Sequence, residues 1–542
     1  MALVVGAYYH WGVRAAGHNI DWNGDTLGYY NFLGRAFANG HTYLEIEPKP
    51  ELLALPNPWD PRVPDELKLF DAVLYNRRYY LYHGAGPAVL LFAPWRLLTG
   101  RDLPENFALF LMCFGGWIFS AFAARGLLRM AGADPGPVVW TLLLVALAFC
   151  QGVPFLLNRV WVYEIAIGGG YLFVSGGIYF LVRAWGSGRT RDLVLAGFLF
   201  GCAISCRPHL GLIGAVAVAM LLWRFRQRGF AAILPFAAVG LMVCGYNLAR
   251  FGNPLEFGNN HLLGGAHQTT VVPEMANVGP GLYYMLACEP EFSKVFPWIR
   301  AVPRLAPGGV PPHYTLEALV GALWLAPFVV FLLLAGYGGA ARPILAALVL
   351  HAGGLLAFVV STGWSVPRYQ VDFLPVFVLV ASVAFAAALP RLPRIAQLCA
   401  TVVFGTLVCF GTGANLALGI AGPIDEMLKN KPARYATIAG WLSPVARYRP
   451  VLNSGFDIAI AKRSAGTLLR AGVPAQPYEL ILEPGGHLVS RFSGNDVRGE
   501  LPEGVRDLRA RYAPGSGLLQ VVADGVPVLT QKIGPLVSTP PQ

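Results

Sequence analysis

The sequence predicts an α-helical polytopic membrane protein of about eleven transmembrane helices, followed by a small β-rich domain. Three observations predict this fold class. The 542 residues are 55% hydrophobic and 13% charged, with a mean hydropathy of +0.51, whereas a soluble globular chain has about 25% charged residues. Long apolar runs follow one another up to residue 420. After residue 420 the composition becomes polar, and short runs of alternating polarity replace the long apolar ones.

Eleven apolar runs are predicted to form the spans. The first, residues 1–13, is short for a span, and it does not resemble a signal peptide because no basic segment precedes it. The others are 107–128, 137–157, 162–182, 193–206, 210–223, 230–248, 316–337, 344–360, 371–388 and 395–420. These runs define a transmembrane domain, residues 1–420, whose two large loops are 14–106 and 249–314, and a tail domain, residues 421–542.

Arginine residues predict the orientation of the chain. With a cytoplasmic N-terminus, every short inner loop is basic, as the positive-inside rule expects. The arginines concerned are 125, 129, 183, 189, 191, 224, 226, 228, 342, 391 and 394. Both large loops and the tail then lie outside the cytoplasm. The net charge of +11 is therefore explained by topology, and we predict no nucleic-acid partner.

Two stretches of the first large loop suggest local structure. The stretch "VLYNRRYYLYHGAGP" has aromatic-rich arms around Asn76 and Arg77, which predicts a β-hairpin. The stretch "GPAVLLFAPWRLLTG" is apolar but short and contains Pro87 and Pro94, so it is predicted to be an interfacial helix or a re-entrant segment. The eight cysteines lie mostly in apolar runs and form no disulfide framework.

The tail begins with a polar segment, "DEMLKNKPARYATIAGWL", that is predicted to be helical. The runs "FDIAIA", "YELILE", "HLVSRF", "DLRARY" and "LLQVVADGVPVLTQ" then predict strands. Asp524 and Gly525 form a strong hairpin signal within the last run. The tail is therefore predicted to be an extracytoplasmic domain rich in β-strands.

The stretch "NGDTLGYYNFLGRAFANGH" predicts a short amphipathic helix just after the first apolar run. Its apolar side chains recur at helical spacing, Gly40 is a natural stop, and Asp25 or Thr26 is a good N-cap. A purely structural role for Asp25, as a helix cap, is therefore one interpretation.

This stretch also carries the first part of a resemblance to a known superfamily. Asp25, with Tyr29 four residues later, resembles the first outer loop of the GT-C glycosyltransferases, which include the aminoarabinose transferases of lipid A and the protein O-mannosyltransferases. Members carry a catalytic or metal-binding acid there. The stretch "NRVWVYEIAI", with Arg159 and Glu164 five residues apart, resembles the second outer loop of the family.

Later motifs follow in the same order as in the superfamily. The stretch "AISCRPHLGL" has Arg207 where members carry a basic residue at an outer turn. The stretch "STGWSVPRYQVDFLP" resembles the late outer turn and contains Arg368 and Tyr369. The stretch "YNLARFGNPLEFG" begins the second large loop, and its Arg250 is a further candidate to face the site. The resemblance covers most of residues 1–420 and leaves out the tail.

The resemblance implies an enzyme of the bacterial cytoplasmic (inner) membrane with an outward-facing site. The donor would be a sugar linked to a polyprenyl phosphate in the bilayer, and the acceptor an envelope lipid, glycan or protein. Asp25 would be the general base and Glu164 a second acid. The predicted phosphate and substrate ligands are Arg159, Arg207, Arg368, Tyr369, Tyr29 and His83. We expect the three arginines to line one cavity that opens laterally to an apolar groove.

Many members of the superfamily have two adjacent acids in the first loop. Here Thr26 follows Asp25, and Asp21 is the nearest other acid. The sequence therefore predicts no set of metal ligands and leaves the need for a divalent metal open. It suggests no other cofactor.

Other interpretations of these residues remain open. Glu164 can form a structural ion pair with Arg159, arginines at helix ends can extend to the interface, and His83 can be an interfacial hydrogen-bonding residue. Two other classes of protein also remain: a non-catalytic scaffold or glycan-binding protein of the same fold, and a lipid or solute transporter. The transporter is disfavoured because the acids concentrate at outer helix ends and no internal repeat is visible.

Overall fold

A computed structural model describes most of the chain. The described residues are 1–17, 20–22, 28–60, 63–264, 273–292, 296–302, 304, 306–311, 314–422, 426–442, 456–461, 464–471, 478–492, 495–513 and 518–533.

The described α-helices begin with α1 (Ala2–Ala15), α2 (Tyr29–Ala38), α3 (Pro50–Leu53), α4 (Ala93–Thr99), α5 (Glu105–Met130) and α6 (Pro137–Phe149). They continue with α7 (Val153–Leu156), α8 (Val162–Ser187), α9 (Thr190–Cys206), α10 (Gly211–Phe225), α11 (Phe230–Phe251) and α12 (Val278–Leu282). The last are α13 (Ala322–Leu325), α14 (Arg342–Ser361), α15 (Leu374–Ala388), α16 (Arg394–Ala421), α17 (Glu426–Asn430) and α18 (Pro432–Leu442). Longer π or 3₁₀ segments are Ala88–Phe92, Tyr283–Ala287, Pro327–Tyr337 and Pro367–Asp372.

The strands fall into short pairs and two larger sheets. The short pairs are β1 (Ala72–Tyr75) with β2 (Arg78–Leu81), β3 (Glu291–Phe292) with β4 (Ile299–Arg300), and β5 (Thr315–Leu316) with β6 (Trp364–Ser365). The larger sheets contain β7 (Phe456–Ala459), β8 (Gly466–Ala471), β9 (Tyr478–Leu482), β10 (His487–Phe492), β11 (Asn495–Glu500), β12 (Leu508–Ala513), β13 (Leu518–Ala523) and β14 (Val526–Lys532).

The chain packs into two compact units. The first comprises residues 1–270, 322–358 and 368–419, and the second comprises 271–321, 359–367 and 420–542. The second unit thus takes in part of the large loop that begins after α11, as well as the tail. The division of the sequence at residue 420 remains a prediction.

The first unit confirms a helical membrane protein. By length and composition, seven apolar helical stretches of the described chain can cross a membrane. They are Glu105–Met130, Pro137–Leu156, Val162–Ser187, Pro208–Phe251, Gly339–Ser361, Leu374–Arg391 and Arg394–Ala421. Each of the eleven predicted runs coincides with a helical segment, but several are short: α1 has 14 residues and the 3₁₀ helix Pro327–Tyr337 has 11. The count of about eleven spans therefore remains a prediction.

Small residues allow the central helices of the first unit to pack closely. A side chain on Gly116 of α5 would come 2.5 Å from the ring of Tyr171 in α8, and one on Gly168 of α8 would come 2.7 Å from Leu109. A side chain on Gly197 of α9 would collide with the carbonyl of Ala232 in α11. Helix α5 therefore packs closely against α8, and α9 packs closely against α11.

The first large loop contains the predicted hairpin. Strands β1 and β2 pair antiparallel around Asn76 and Arg77. Both turn residues have positive φ, 48° and 60°, as a two-residue type I′ turn requires. The proline-containing stretch after it forms a short helical segment, Ala88–Thr99, which is below the length of a span.

The second unit confirms a β-rich C-terminal region. Its two four-stranded antiparallel sheets have the orders β11-β10-β9-β8 and β14-β13-β12-β7. Inward-facing residues from both sheets, including Leu480, Leu488, Leu519 and Val521, form one buried core. The hairpin predicted at Asp524 and Gly525 connects β13 to β14.

Candidate active site

A buried carboxylate holds Arg207 at the end of α9. Nη2 of Arg207 lies 3.2 Å from Oδ2 of Asp372, and Nε2 of His209 lies 3.0 Å from the same oxygen. The Asp372 side chain is only 2% exposed. Because a buried ion pair is stable only with good geometry and further hydrogen bonds, Asp372 orients both basic groups.

Arg368 lies beside this pair, on the 3₁₀ segment Pro367–Asp372 that also carries Asp372. Its Cζ is 4.4 Å from the ring centroid of Tyr163, while Cζ of Arg207 is 4.8 Å from the ring centroid of Tyr369. Guanidinium groups over aromatic faces gain cation–π stabilisation, which increases when water is excluded. Two arginines from distant parts of the sequence are thus positioned by tyrosines of one site.

His83 links the two arginines. Its ring centroid is 5.0 Å from that of Tyr163. Burial, and then the positive charges of Arg207 and Arg368, lower the pKa of His83 from 6.5 to about 3. Within the described part of the chain, Nε2 of His83 has no hydrogen-bond partner. The site therefore presents a neutral imidazole nitrogen together with two cations.

Arg159 and Glu164 form an ion pair, which is one of the interpretations of these residues that the sequence left open. Nε and Nη2 of Arg159 both lie 3.3 Å from Oε1 of Glu164. The other carboxylate oxygen accepts the N–H of Trp161 at 3.2 Å, which completes a capping box at the start of α8. Cζ of Arg159 stands 4.6 Å from the Trp161 ring, whose centroid is 6.3 Å from that of Tyr163. A catalytic role for Glu164 remains a prediction.

The start of α2 differs from the prediction. The N-cap is Gly28, so the expected cap at Asp25 or Thr26 is wrong. Oε1 of Glu105, at the start of α5, accepts the N–H of Tyr30 at 3.0 Å instead. A carboxylate from a distant helix thus performs the capping that a local side chain usually supplies.

Of the predicted base and its neighbour Tyr29, the structure describes only Tyr29. Asp25 lies outside the described residues, and its role as a base is a proposal. The Tyr29 hydroxyl donates to the carbonyl of Phe70. Burial, and then the charge of Asp71, raise the pKa of Tyr29.

Two acids near the site were not among the predicted residues. Asp372 lies four residues after Arg368, within the late motif, so its position was visible in the sequence. Asp71 is 4% exposed and precedes β1, with a φ of 58° and an N–H that donates to the Leu263 carbonyl at 2.8 Å. Burial, and then the charges of Tyr369 and Asp71, raise the pKa of Tyr82 to about 12.

An apolar cavity of about 170 Å³ lies among the segment after β2, α9 and α11. His83 lines it, together with Ser205 and Pro208, which are close to Arg207 in the sequence. Its apolar lining includes Val89 and Met242, which are 52% and 70% exposed. The cavity is therefore a groove that is open on its side.

Arg250 also lines this groove. It is 6% exposed, and its Nη1 donates to the Leu81 carbonyl at 2.7 Å. Its Nη2 donates to Oδ1 of Asn247 at 2.6 Å, and its Cζ lies 4.1 Å from the ring centroid of Tyr246. The lining of the groove thus combines basic and hydrogen-bonding groups with apolar side chains.

A metal site is not formed by the described residues. No group of three or more histidine, cysteine, aspartate or glutamate side chains among them is arranged to hold a metal ion. Glu164 and Asp372 each form an ion pair with an arginine.

Comparison with known proteins gives likenesses of structure. No family model and no curated protein matches the sequence. A crystal structure of ArnT from Cupriavidus metallidurans bound to undecaprenyl phosphate is 14% identical, with a TM-score of 0.37, over 82% of this chain and 80% of that chain. The apo oligosaccharyltransferase of Archaeoglobus fulgidus is 12% identical, with a TM-score of 0.41, over 78% of this chain and 55% of that chain.

Both of these proteins are GT-C enzymes, the superfamily that the sequence motifs resemble. TM-scores below 0.5 carry no functional conclusion for this chain. The side chains of the site, and not these likenesses, indicate the function.

Proposed function

We propose that this protein is a membrane glycosyltransferase that moves a sugar from a polyprenyl-phosphate donor to an envelope lipid, glycan or protein. The observation that carries the proposal is that His83, on which the charges of Arg207 and Arg368 both act, lines an apolar groove. A phosphate that leaves water needs several donors at once. A prenyl chain needs an apolar surface that is reached from the bilayer.

The leaving group determines what the arginines do. In the proposed reaction the acceptor hydroxyl oxygen attacks C1 of the sugar, and the bond between C1 and the phosphate oxygen breaks. The electron pair of that bond stays on the polyprenyl phosphate. Arg207 and Arg368 stabilise the negative charge that develops there, with their guanidinium groups held in place beforehand by Asp372 and two tyrosine rings.

The acceptor hydroxyl must lose its proton during the attack. We assign this proton to the carboxylate of Asp25, the general base that the motif of the first loop predicts. Attack opposite the leaving phosphate inverts the configuration at C1 in a single displacement. Glu164 is assigned as a second acid of the site, and Tyr29 and Tyr369 as substrate contacts.

The proposed location is the cytoplasmic membrane of a bacterium, with the site and the C-terminal unit outside the cytoplasm. The basic inner loops support this orientation. The bilayer is then both the medium of the protein and the source of its donor.

The substitution Asp25→Asn tests the proposed base in the full-length protein. A strain lacking the gene is complemented with each variant, and its envelope glycolipids and glycans are compared by mass. Because Asn cannot take up a proton as a carboxylate does, we expect the conjugate restored by the wild type to fall by a factor on the order of a hundred or more.

The control is Asp65→Asn, also in the first loop, where the carboxylate is 72% exposed and lies 3.4 Å from Nζ of Lys68. This variant should restore the conjugate normally, and immunoblotting should show equal protein in the membrane. If Asp25→Asn restores the conjugate normally, Asp25 is not the general base, and a non-catalytic scaffold is favoured.

A further inference from the structure

Two turns of the first unit carry a dense group of arginines. They lie at the ends of helices α8 to α11 that are opposite the candidate active site. One turn connects α8 to α9, and the other connects α10 to α11. We call the six arginines together the two-turn patch: Arg183, Arg189, Arg191, Arg224, Arg226 and Arg228. All six are exposed at the surface of the first unit.

The two turns touch, so that their arginines form one surface. Nε of Arg224 donates to the carbonyl of Trp185 at 3.4 Å, and Cζ of Arg224 lies 4.7 Å from the Trp185 ring centroid. A side chain on Gly188 would come 3.3 Å from the ring of Phe225. Each turn therefore helps to position the other.

Chain direction places the two-turn patch at the helix ends opposite the candidate active site. Helix α8 runs from Glu164 at the site to Ser187, and α9 returns from there to Arg207. Helix α10 then runs away from the site again to Phe225, and α11 returns to Arg250 and the groove. With the site outside, the patch faces the cytoplasm.

The patch has little neutralising charge of its own. Oδ1 of Asp192 forms an ion pair with Nη2 of Arg183 at 3.3 Å, and Oδ2 accepts a hydrogen bond from the Ser187 hydroxyl at 2.9 Å. Among the described residues it is the one carboxylate that pairs with an arginine of the patch. Five mutually repelling guanidinium groups thus remain for an external anion.

Membrane orientation alone does not explain this arrangement. The positive-inside rule depends on the number of basic residues in each inner loop, and it does not require two loops to come together. Trp223 and Phe230 flank the patch and are 67% and 52% exposed. Exposed aromatic residues of this kind sit at the level of lipid headgroups.

We propose that the two-turn patch binds an anionic phospholipid with two phosphate groups, the cardiolipin class, in the cytoplasmic leaflet. Each turn region contributes three arginines, and the contact of Arg224 with Trp185 joins the two turns, so that one headgroup can span both. Basic pockets between transmembrane helices on this side of a membrane bind such headgroups. The inference does not depend on the proposed transferase activity.

Native mass spectrometry of the full-length protein in detergent tests the proposal. Tetraoleoyl cardiolipin is titrated against dioleoyl phosphatidylglycerol, which has one phosphate, and dioleoyl phosphatidylcholine, which has no net charge. We expect the wild type to retain cardiolipin best, and 0.5 M salt to weaken this binding because surface electrostatics are screened.

The test variant is Arg191→Gln/Arg226→Gly/Arg228→Gln. Arg226 has a φ of 53°, which glycine adopts more readily than other residues, so its replacement by glycine removes charge without straining the turn. The matched control is Arg129→Gln/Arg342→Gln/Arg394→Gln, three exposed arginines of other inner loops. Each arginine near an anionic surface increases affinity by about fivefold. Because the test variant lacks three of them, we expect it to bind cardiolipin at least about tenfold more weakly.

The control should bind cardiolipin as the wild type does. Equal weakening in both triple variants would show that only net charge matters and would overturn the proposal. So would a wild type that retains phosphatidylcholine as well as cardiolipin. A test variant that elutes normally on size exclusion and has lost its cardiolipin preference would support it.

Discussion

The arginines at the two ends of helices α8 to α11 differ in what surrounds them. At the site end, Arg207 pairs with Asp372, whose side chain is 2% exposed, and Arg368 is itself 7% exposed. At the other end, Arg183 is 42% exposed and is paired with one buried acid. The same residue type is thus held inside the protein at one end and presented to solvent at the other.

This difference separates two uses of arginine in a membrane protein. A buried guanidinium group must be paired and hydrogen-bonded, because leaving water costs several kcal/mol per ion. Its position is therefore defined before any ligand arrives, which suits a reaction that develops charge at one point. An exposed group costs little and keeps its side-chain freedom, which suits binding to a mobile headgroup.

The largest expected effect concerns which side of the membrane each end faces. Asn76→Cys, in the first loop, should react with an impermeant thiol reagent in intact spheroplasts. Arg228→Cys, in the two-turn patch, should react only after lysis. The background is Cys399→Ser/Cys409→Ser, since these two native cysteines are exposed.

Labelling of both new cysteines in intact cells would place both ends on one side and abolish the comparison. Labelling of Arg228→Cys alone would invert the orientation and place the candidate active site in the cytoplasm.

The next effect concerns the buried acid of the site. Asp372→Asn leaves the side chains of Arg207 and His209 without an anion. Removal of one partner from a buried pair costs about 3 kcal/mol, so the midpoint of thermal unfolding in detergent should fall by several degrees. Arg228→Gln, at the exposed end, should change stability by less than about 0.5 kcal/mol.

Asp372→Glu provides a further check, because it keeps the charge and should recover part of the lost stability. A variant Asp372→Asn as stable as the wild type would mean that the carboxylate does not hold the two basic groups.

Much of the fold could be predicted from the sequence because hydropathy and turn chemistry are local. The long apolar runs correspond to helices, and Asn76-Arg77 and Asp524-Gly525 both form hairpin turns. Two strands of the two larger sheets, β8 and β11, were not predicted. A register shift between Thr467 and Leu469 breaks the alternation of β8, and β11 is a charged edge strand without an apolar face.

The site was only partly predictable, because its partners come from distant parts of the chain. The motifs indicated Arg207 and Arg368, but no local pattern could show that both guanidinium groups lie near His83 and the Tyr369 ring. The capping of α2 by Glu105 was missed for the same reason, since a local cap was expected. Asp372 was visible within the late motif, yet its role depends on contacts with Arg207 and His209 across 163 to 165 positions.

A smaller effect compares the geometry of arginine with its charge. Arg368→Lys keeps the charge but loses the planar fork of donors. The loss of one charge-assisted hydrogen bond corresponds to about 1.4 kcal/mol, or tenfold in affinity. Undecaprenyl phosphate should therefore bind about tenfold more weakly in a titration followed by native mass spectrometry, and use of the donor should suffer more than use of the acceptor.

Arg228→Lys is the matched change at the exposed end and should leave binding of undecaprenyl phosphate unchanged. If both lysine variants bind it as the wild type does, the site does not use the guanidinium fork of Arg368.

The smallest effect is the pH dependence that His83 brings to stability. Its pKa is lowered from 6.5 to about 3 by burial and then by Arg207 and Arg368. As pH falls below 6.5 the unfolded chain takes up a proton that the folded protein does not, so stability decreases with falling pH in this interval. Between pH 6.5 and pH 5.5 the wild type should lose about 1 kcal/mol from this source. His83→Gln has no such proton to bind and should lose less over the same interval, while the exposed His41→Gln should behave as the wild type. The measurement is the unfolding midpoint of the three proteins in parallel at pH 5.5, 6.5 and 8. Parallel curves for the wild type and His83→Gln would show that the folded protein does not lower the pKa of this imidazole.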